Sequence, residues 1–171
     1  MRGEIHIAQL GIDVSDAYVK APPADPRLGL GFLRRRAPLE LGARLTLGPG
    51  HSILVPELAG NFTSWDMSVL LRYMVSLGKF GVGVSLQPSI QRSALQGTLL
   101  ADDRRVGVSR FNPSVGAGIE LFRDIGPVRL GIGLSSTYML RSQRYLVSGE
   151  SVLDLAEIDI LLGTSVAIWV Q

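Results

Sequence analysis

The sequence predicts an all-β fold in which eight antiparallel strands close into an up-and-down barrel. Apolar and polar residues alternate with a period of two along most of the chain, as in β-strands whose two faces differ. The connections between these segments are alternately tight and long, as in a barrel whose neighbouring strands run in opposite directions. Apolar runs are far shorter than the ~20 residues that a membrane-spanning helix needs. Closure is favoured because it leaves no exposed strand edge.

The composition fits a single domain over residues 1–171 that is more apolar than a soluble β protein of this size. Hydrophobic residues make up 46% of the chain and charged residues only 19%, and the mean hydropathy is +0.27. The absence of cysteine excludes disulfides, thiol catalysis and cysteine-based zinc sites. The net charge is +2 and the basic residues are scattered, so we expect no nucleic-acid partner.

The stretch SWDMSVLLRYMVSLGKFGVGVSLQ, residues 64–87, shows the alternation most clearly. Trp65 and Val69 share one parity with further apolar residues, whereas Asp66 and Arg72 share the other parity with several serines. The same pattern along the chain predicts strands near 4–14, 27–34, 38–48, 64–77, 80–92, 106–122, 127–142 and 153–170. Parity slips between Val108 and Phe111, which suggests a β-bulge near residues 109–110.

The connections predict a barrel with tight turns at one end and long loops at the other. Tight turns are expected near 34–37, 77–79 and 123–126. Longer loops are expected at 16–26, 49–63, 93–105 and 143–151. With an even number of strands, both chain termini then lie at the tight-turn end.

Alternation alone does not say whether the apolar face points inward, as in a soluble barrel, or outward into lipid. The glycines favour the outward arrangement, because an eight-stranded barrel has little interior space and long charged side chains fit only beside small neighbours. Lysine, which soluble sheets favour on wet surfaces and edges, occurs only at Lys20 and Lys79. Glycine falls on the polar parity at Gly29, Gly31, Gly42, Gly81, Gly83, Gly116, Gly118, Gly131, Gly133 and Gly163.

The aromatic residues favour the same orientation, because they concentrate near the two ends of the strands while the middles are aliphatic. Two such belts are typical of barrels that cross a bilayer. The tight-turn belt comprises Phe32, Tyr73, Phe80 and Trp169, with Phe122 nearby, and the looped-end belt comprises Trp65, Phe111 and Tyr138. We therefore expect an eight-stranded antiparallel up-and-down transmembrane β-barrel, with strands long enough for a tilted crossing.

In these features the chain resembles the small eight-stranded outer-membrane barrels of Gram-negative bacteria, the OmpA, OmpX and OmpW type. The resemblance implies a bacterial outer-membrane location, periplasmic tight turns and termini, and external loops. It implies two partners, the lipid bilayer and the barrel assembly machinery. The chain departs from the family pattern in its last residues, SVAIWVQ, because such barrels commonly end on an aromatic residue. Here Trp169 lies on the opposite parity to Val166 and Ile168, and Gln171 is last.

With the polar parity inward, the lumen is expected to hold an ionic network. Its acids and bases are roughly balanced, and buried charges must be paired because an isolated one costs several kcal/mol. The predicted members are Glu40, Arg44, Asp66, Arg72, Glu120, Arg129, Arg141, Glu157 and Asp159. The simplest interpretation is a closed ionic plug, and the alternative is a gated ion path.

No catalytic, metal or cofactor site is predicted. His51 and Ser52 with Glu57 nearby could be imagined as a catalytic triad, but adjacent residues in a loop seldom point at each other. The two histidines are distant in sequence, and the loop pair Asp102 and Asp103 lacks metal-ligand spacing. Glycine-rich stretches such as GVGVSLQ lie in strands with no following helix, which excludes a dinucleotide site.

We expect a structural or adhesive function, in which the barrel anchors external loops and its lumen is closed. One alternative is a narrow channel for ions, or a path for a small solute across the outer membrane. Another is a soluble lipocalin-like barrel with the same strands turned inside out. The sequence names no external partner for the loops.

Overall fold

The computed structural model describes residues 2–13, 25–55, 58–101, 103–141, 143–147, 150–155 and 157–169. Within these ranges it contains ten strands and no helix long and apolar enough to cross a membrane. The strands are β1 (Arg2–Asp13), β2 (Asp25–Arg36), β3 (Leu39–Val55), β4 (Leu58–Leu77), β5 (Phe80–Leu99), β6 (Arg104–Ile125), β7 (Val128–Met139), β8 (Gln143–Val147), β9 (Glu150–Leu155) and β10 (Ile158–Trp169).

Eight of these strands form a closed barrel in the order β1-β10-β7-β6-β5-β4-β3-β2. Every neighbouring pair is antiparallel, and β1 closes the barrel by pairing with both β2 and β10. Gly3, for example, lies opposite Phe32 on one side and opposite Ile168 on the other. The remaining strands, β8 and β9, form a separate two-stranded hairpin. The predicted eight-stranded up-and-down barrel is therefore confirmed.

The apolar face of the barrel points outward. Ile132 and Leu162 are 52% and 50% exposed, although both lie in the middle of their strands. Arg72 and Glu120, on the opposite parity, are only 4% and 8% exposed. A soluble barrel requires the reverse arrangement, since its apolar side chains would pack inside.

The tight turns lie close to the predicted positions, at residues 37–38, 78–79 and 126–127. Gly78 and Gly126 have φ angles of 66° and 58°, in the left-handed region that glycine adopts without steric cost. These turns join β2 to β3, β4 to β5 and β6 to β7, and they lie together at one end of the barrel.

Two of the predicted long loops are mostly strand. The ladder between β3 and β4 reaches the pair Val55 and Leu58, and the ladder between β5 and β6 reaches Leu99 and Arg104. The prediction of long loops at 49–63 and 93–105 is therefore wrong, because most of these residues are paired strand. The stretch 143–151 is largely the β8–β9 hairpin, and most of 16–26 lies outside the described residues.

The sequence hides these extensions because the apolar parity reverses along the strands. The reversal occurs at one row of neighbouring residues, Leu47, Trp65, Arg92 and Phe111, which we call the boundary row. Below it, towards the tight turns, the outward side chains are apolar. Above it the inward side chains Leu58, Phe62, Leu95 and Leu99 are buried, and the outward Asn61, Thr63 and Gln96 are exposed.

We call the part above this row the upper sheet, comprising residues 48–55, 58–64, 93–99 and 104–110. The change of parity also explains the slip between Val108 and Phe111. The register between β5 and β6 runs unbroken from the pair Gly81 and Phe122 to the pair Leu99 and Arg104. The predicted bulge near residues 109–110 is therefore wrong.

A pair of facing glycines allows β4 and β5 to pack closely in the upper sheet. A Cβ added at Gly97 would come within 2.9 Å of Gly60 Cα and 3.0 Å of Leu58 Cδ1. We expect Gly97→Ala to lower the local free energy of opening of this sheet by about 1–3 kcal/mol, as overpacking commonly does. Hydrogen exchange of the amides in residues 95–99 measures this change.

Gly107→Ala is the matched control, because the nearest atom to its added Cβ is 3.8 Å away. We expect it to leave the same amides unchanged. Equal effects of the two substitutions would contradict the close packing of β4 on β5.

Candidate functional site

Glu40 is the centre of an ion-pair cluster in the lower half of the lumen. Its side chain is fully buried, with 0% exposure, and bridges two arginines that come from different strands. Arg72 Nη1 lies 3.2 Å from Glu40 Oε2, and Arg129 Nη1 lies 3.1 Å from Glu40 Oε1. The carboxylate thus uses both oxygens to hold β4 and β7 across the barrel.

The cluster continues on both sides of Glu40. Arg72 Nη2 lies 3.0 Å from Glu120 Oε2, and the Ser165 hydroxyl donates a hydrogen bond to the other oxygen of Glu120. Arg129 donates two hydrogen bonds to Asp124, from Nε at 2.7 Å and from Nη2 at 3.0 Å. Acids and bases therefore alternate along one chain of contacts, which is how buried charges avoid the cost of isolation.

A second polar group lies nearer the looped end. Arg27 forms an ion pair with Asp159, and Arg44 donates a hydrogen bond to Oε1 of the Gln87 side chain. Gln87 in turn donates to the Ser85 hydroxyl at 2.9 Å. Four strands, β2, β3, β5 and β10, contribute to this group, so its side chains join the barrel wall from several directions.

Glycine provides the space that these long side chains occupy. A Cβ added at Gly83 would lie 3.0 Å from Arg72 Cδ, and one added at Gly131 would overlap the Glu120 carboxylate. A Cβ at Gly81 would overlap the ring of Phe122. The predicted reason for glycine on the polar parity is thus supported at Gly83 and Gly131, whereas Gly81 makes room for an aromatic ring.

Apolar side chains fill the lumen around the lower cluster. Leu33, Leu70 and Met74 are buried there, on the inward parity. Phe122 is also inside, with its ring 3.8 Å from the guanidinium carbon of Arg129. The expectation that Phe122 accompanies the tight-turn belt is wrong, because its parity points it inward, where Gly81 leaves room for the ring.

Two small polar cavities lie in the lumen among the side chains that the structure describes. The lower one has a volume of about 40 Å³ and is bordered by Arg72 and Glu120. The upper one has a volume of about 20 Å³ and is bordered by Asp66 and Asp159. Arg44, Gln87 and Leu161 border both cavities. Each cavity has room for a few water molecules at most.

The structure brings most of the predicted network residues into the lumen. Asp66 is partly buried beside the upper cavity. The buried members are Glu40, Arg44, Arg72, Glu120, Arg129 and Asp159. The prediction is wrong for Arg141 and Glu157, which are exposed. β7 ends at Met139 and β10 begins at Ile158, so both residues lie past the ends of the barrel strands.

Sequence reasoning missed Arg27, Gln87 and Asp124 as members of the polar groups. Arg27 shares the parity of Gly29 and Gly31, so the glycine pattern could have placed it inside. Gln87 could have been found by the same parity. Asp124 lies beside a tight turn and is partly exposed in the structure. Its place in the sequence gives no sign that it holds Arg129.

Six of the predicted belt aromatics lie at the expected ends of the barrel. Phe32, Tyr73 and Phe80 are exposed near the tight turns, and Tyr138 is exposed at the looped end. Trp65 and Phe111, both in the boundary row, form an edge-to-face pair with ring centroids 6.0 Å apart. The side chain of Trp169, the seventh predicted member, lies outside the described part of the chain.

The upper sheet has a small core of its own. Tyr145 of the β8–β9 hairpin is buried, and the Arg110 guanidinium lies 5.1 Å from its ring centroid. Burial raises the pKa of Tyr145 above its ordinary value. The hairpin therefore packs on the strands above the boundary row rather than extending freely into solvent.

The imagined catalytic group gains no support from the structure. The Ser52 hydroxyl donates a hydrogen bond to Asn61 Oδ1 at 3.2 Å, across the ladder of the upper sheet. Glu57 lies outside the described residues. Among the residues that are described, no group of three or more His, Asp or Glu side chains could hold a metal ion.

Comparisons with known proteins identify structures with a similar fold. No family model matches this sequence, and no curated protein matches it either. Neisserial surface protein A, NspA, superposes with a TM-score of 0.59 at 13% identity, over 98% of this chain and 94% of that chain. Ail, the attachment invasion locus protein of Yersinia pestis, was crystallised with the heparin analogue sucrose octasulfate. It superposes with a TM-score of 0.58 at 9% identity, over 98% of this chain and 96% of that chain.

At these identities the likeness shows the fold, which is that of small outer-membrane β-barrels, as the sequence predicted.

The bridging position of Glu40 makes it the most sensitive carboxylate of the lumen. We expect Glu40→Gln to lower the free energy of unfolding by about 3–5 kcal/mol, because it removes the charge that two buried guanidiniums share. Urea unfolding of the barrel in a fixed detergent or bilayer measures the loss.

Glu157→Gln removes a carboxylate that is exposed at the looped end and serves as the control. It should leave the urea midpoint unchanged. A similar midpoint for wild type and Glu40→Gln would show that the cluster does not hold the barrel together.

Proposed function

We propose that this chain is a bacterial outer-membrane β-barrel that anchors the upper sheet at the outer surface and whose lumen is closed to ions. The outward apolar face supports the membrane location. Leu71 of β4, for example, is 43% exposed in the part of its strand between the boundary row and the tight turn, a placement that a lipid environment makes favourable. The barrel's partner in this proposal is the bilayer.

The side chains of the lumen support its closure. Ions would have to pass the chain of contacts from Asp124 through Arg129 and Glu40 to Arg72, where every step is an ion pair. Leu33 and Leu70 are buried in the lumen beside this chain of contacts. Each of these cavities holds only a few water molecules, which supports a lumen too narrow for a continuous water path.

The upper sheet supports a role in presentation at the surface. It has a ladder of paired strands, a buried inner face and a hairpin packed on that face, so its outer face is held in a fixed shape. The similar structures include a Neisserial surface protein and an attachment protein of Yersinia pestis. The names of these proteins support an adhesive or structural role for the upper sheet.

Conductance tests the closed lumen. We expect the purified chain, inserted in planar bilayers at neutral pH, to give no discrete channel openings, because the ion-paired cluster spans the lumen. A gel run without heating the sample shows whether the protein in the same preparation is folded, because the folded barrel resists unfolding by the gel detergent. Regular single-channel steps from folded protein would favour the alternative, a narrow channel.

Depth-dependent substitution tests the membrane location. Leu86 is exposed on the outward face of β5, midway between Phe80 and Arg92. We expect Leu86→Arg to lower the free energy of unfolding in bilayers by roughly 2–4 kcal/mol, the cost of a cation at the bilayer midplane.

Gln96→Arg places the same cation on the same strand and face but above the boundary row, where Gln96 is already exposed. We expect a change of less than about 0.5 kcal/mol there. If both substitutions had the same small effect, the outward face of β5 would not lie in lipid.

A further inference from the structure

The boundary row contains an arginine on the outward face of the barrel. Arg92 lies between Trp65 and Phe111, which are its ladder partners on β4 and β6. Below it on the same face are the exposed apolar side chains of Met67 and Ile90. A cation on this face would be costly in the middle of a bilayer, but at the edge of the apolar band the cost falls to roughly 0–1 kcal/mol.

Small and hydroxyl-bearing residues lie directly above Arg92. Its next outward neighbour along β5 is Ala94, which pairs with Thr63 on one side and Ser109 on the other. Thr63 and Ser109 are exposed, whereas Ala94 is only 6% exposed. Above Arg92, exposed hydroxyl-bearing residues therefore flank a small, covered alanine on both sides.

Arg92 has no protein partner for its charge within the part of the chain that the structure describes. The arginines of the lumen, by contrast, are held by carboxylates or by Gln87. At the tight-turn end, the outward Arg123 lies 5.7 Å from the ring centroid of Phe80. Arg92 is thus an interfacial cation with two aromatic neighbours and an adjacent pair of hydroxyls.

We propose that Arg92, with the hydroxyls of Thr63 and Ser109, binds the phosphate of a phosphorylated lipid headgroup in the outer leaflet. The guanidinium offers several N–H donors to phosphate oxygens, and the hydroxyls offer two more. Trp65 and Phe111 lie at the level where headgroup and acyl chains meet, as interfacial aromatics do. This inference depends on the proposed membrane location.

The position of Arg92, Thr63 and Ser109 favours a lipid over a soluble anion. A ligand held by Arg92 lies immediately above Met67 and Ile90, whose exposed surfaces can contact acyl chains. An amphiphile satisfies both the cation and the apolar surface beneath it, whereas free phosphate satisfies only the cation. The chemistry of the site therefore matches an anionic headgroup carried on an apolar tail.

Native mass spectrometry of the full folded chain in a zwitterionic detergent tests the proposal with three probes. These are diphosphoryl lipid A, its dephosphorylated form, and inorganic phosphate. We expect wild type to bind the phosphorylated lipid about tenfold more tightly than the dephosphorylated one, as one lost charge-assisted contact commonly gives. Inorganic phosphate at the same concentration should not compete, because it lacks the acyl chains.

Arg92→Gln should abolish the preference for the phosphorylated lipid, and Arg92→Lys should retain part of it as a point charge. Arg105→Gln is the control, because Arg105 is also exposed but lies higher on the upper sheet, opposite Thr98. It should bind as wild type does.

An unchanged preference in Arg92→Gln, or an equal loss in Arg105→Gln, would contradict the phosphate site. Neither result would contradict the proposed membrane barrel. Competition by inorganic phosphate would overturn the assignment of the site to lipid. If the chain instead stays monodisperse and folded without detergent, the membrane location fails and the site fails with it.

Discussion

The outward position of the apolar face is the constraint on which the rest of this structure depends. Because lipid-facing positions of a barrel exclude charge, the ionisable residues of the strands must lie in the lumen or beyond the ends of the apolar band. In the lumen they have neither water in quantity nor room, so each must be paired. Glu40 shows the result, since a carboxylate with no solvent exposure is stable here only because Arg72 and Arg129 hold its two oxygens.

The same constraint explains the glycines, which weaken a strand unless a close approach requires them. Gly83 and Gly131 lie beside the two ends of the contact between Arg72 and Glu120, and a methyl group at either would press on that ion pair. The charges and the glycines of the lumen therefore form one packing arrangement, contributed by separate strands. A change in one long side chain would leave either a void or a clash that no neighbouring strand could absorb alone.

The sequence predicts the barrel, its orientation and its tight turns, because period-two alternation and the turn glycines are local signals. It also predicts a lumen position for Arg72 and Glu120 from parity alone. It does not predict which partners meet, because the contact between Glu40 and Arg129 joins residues that are 89 positions apart. It placed Arg141 and Glu157 inside because parity does not show where a strand ends. It missed the upper sheet because the apolar parity reverses at the boundary row, and a reversal resembles a loop when only the outward pattern is followed.

That reversal is itself informative about the surroundings of the molecule. A strand that is apolar outside over one part and apolar inside over the next must meet two different solvents along its length. β4, β5 and β6 change at Trp65, Arg92 and Phe111, and these residues are adjacent across the ladder, so the change is a plane around this side of the barrel and not an irregularity of one strand. Lipid explains the part below that plane and water the part above. An arginine between two aromatic rings is the residue set expected where the two meet.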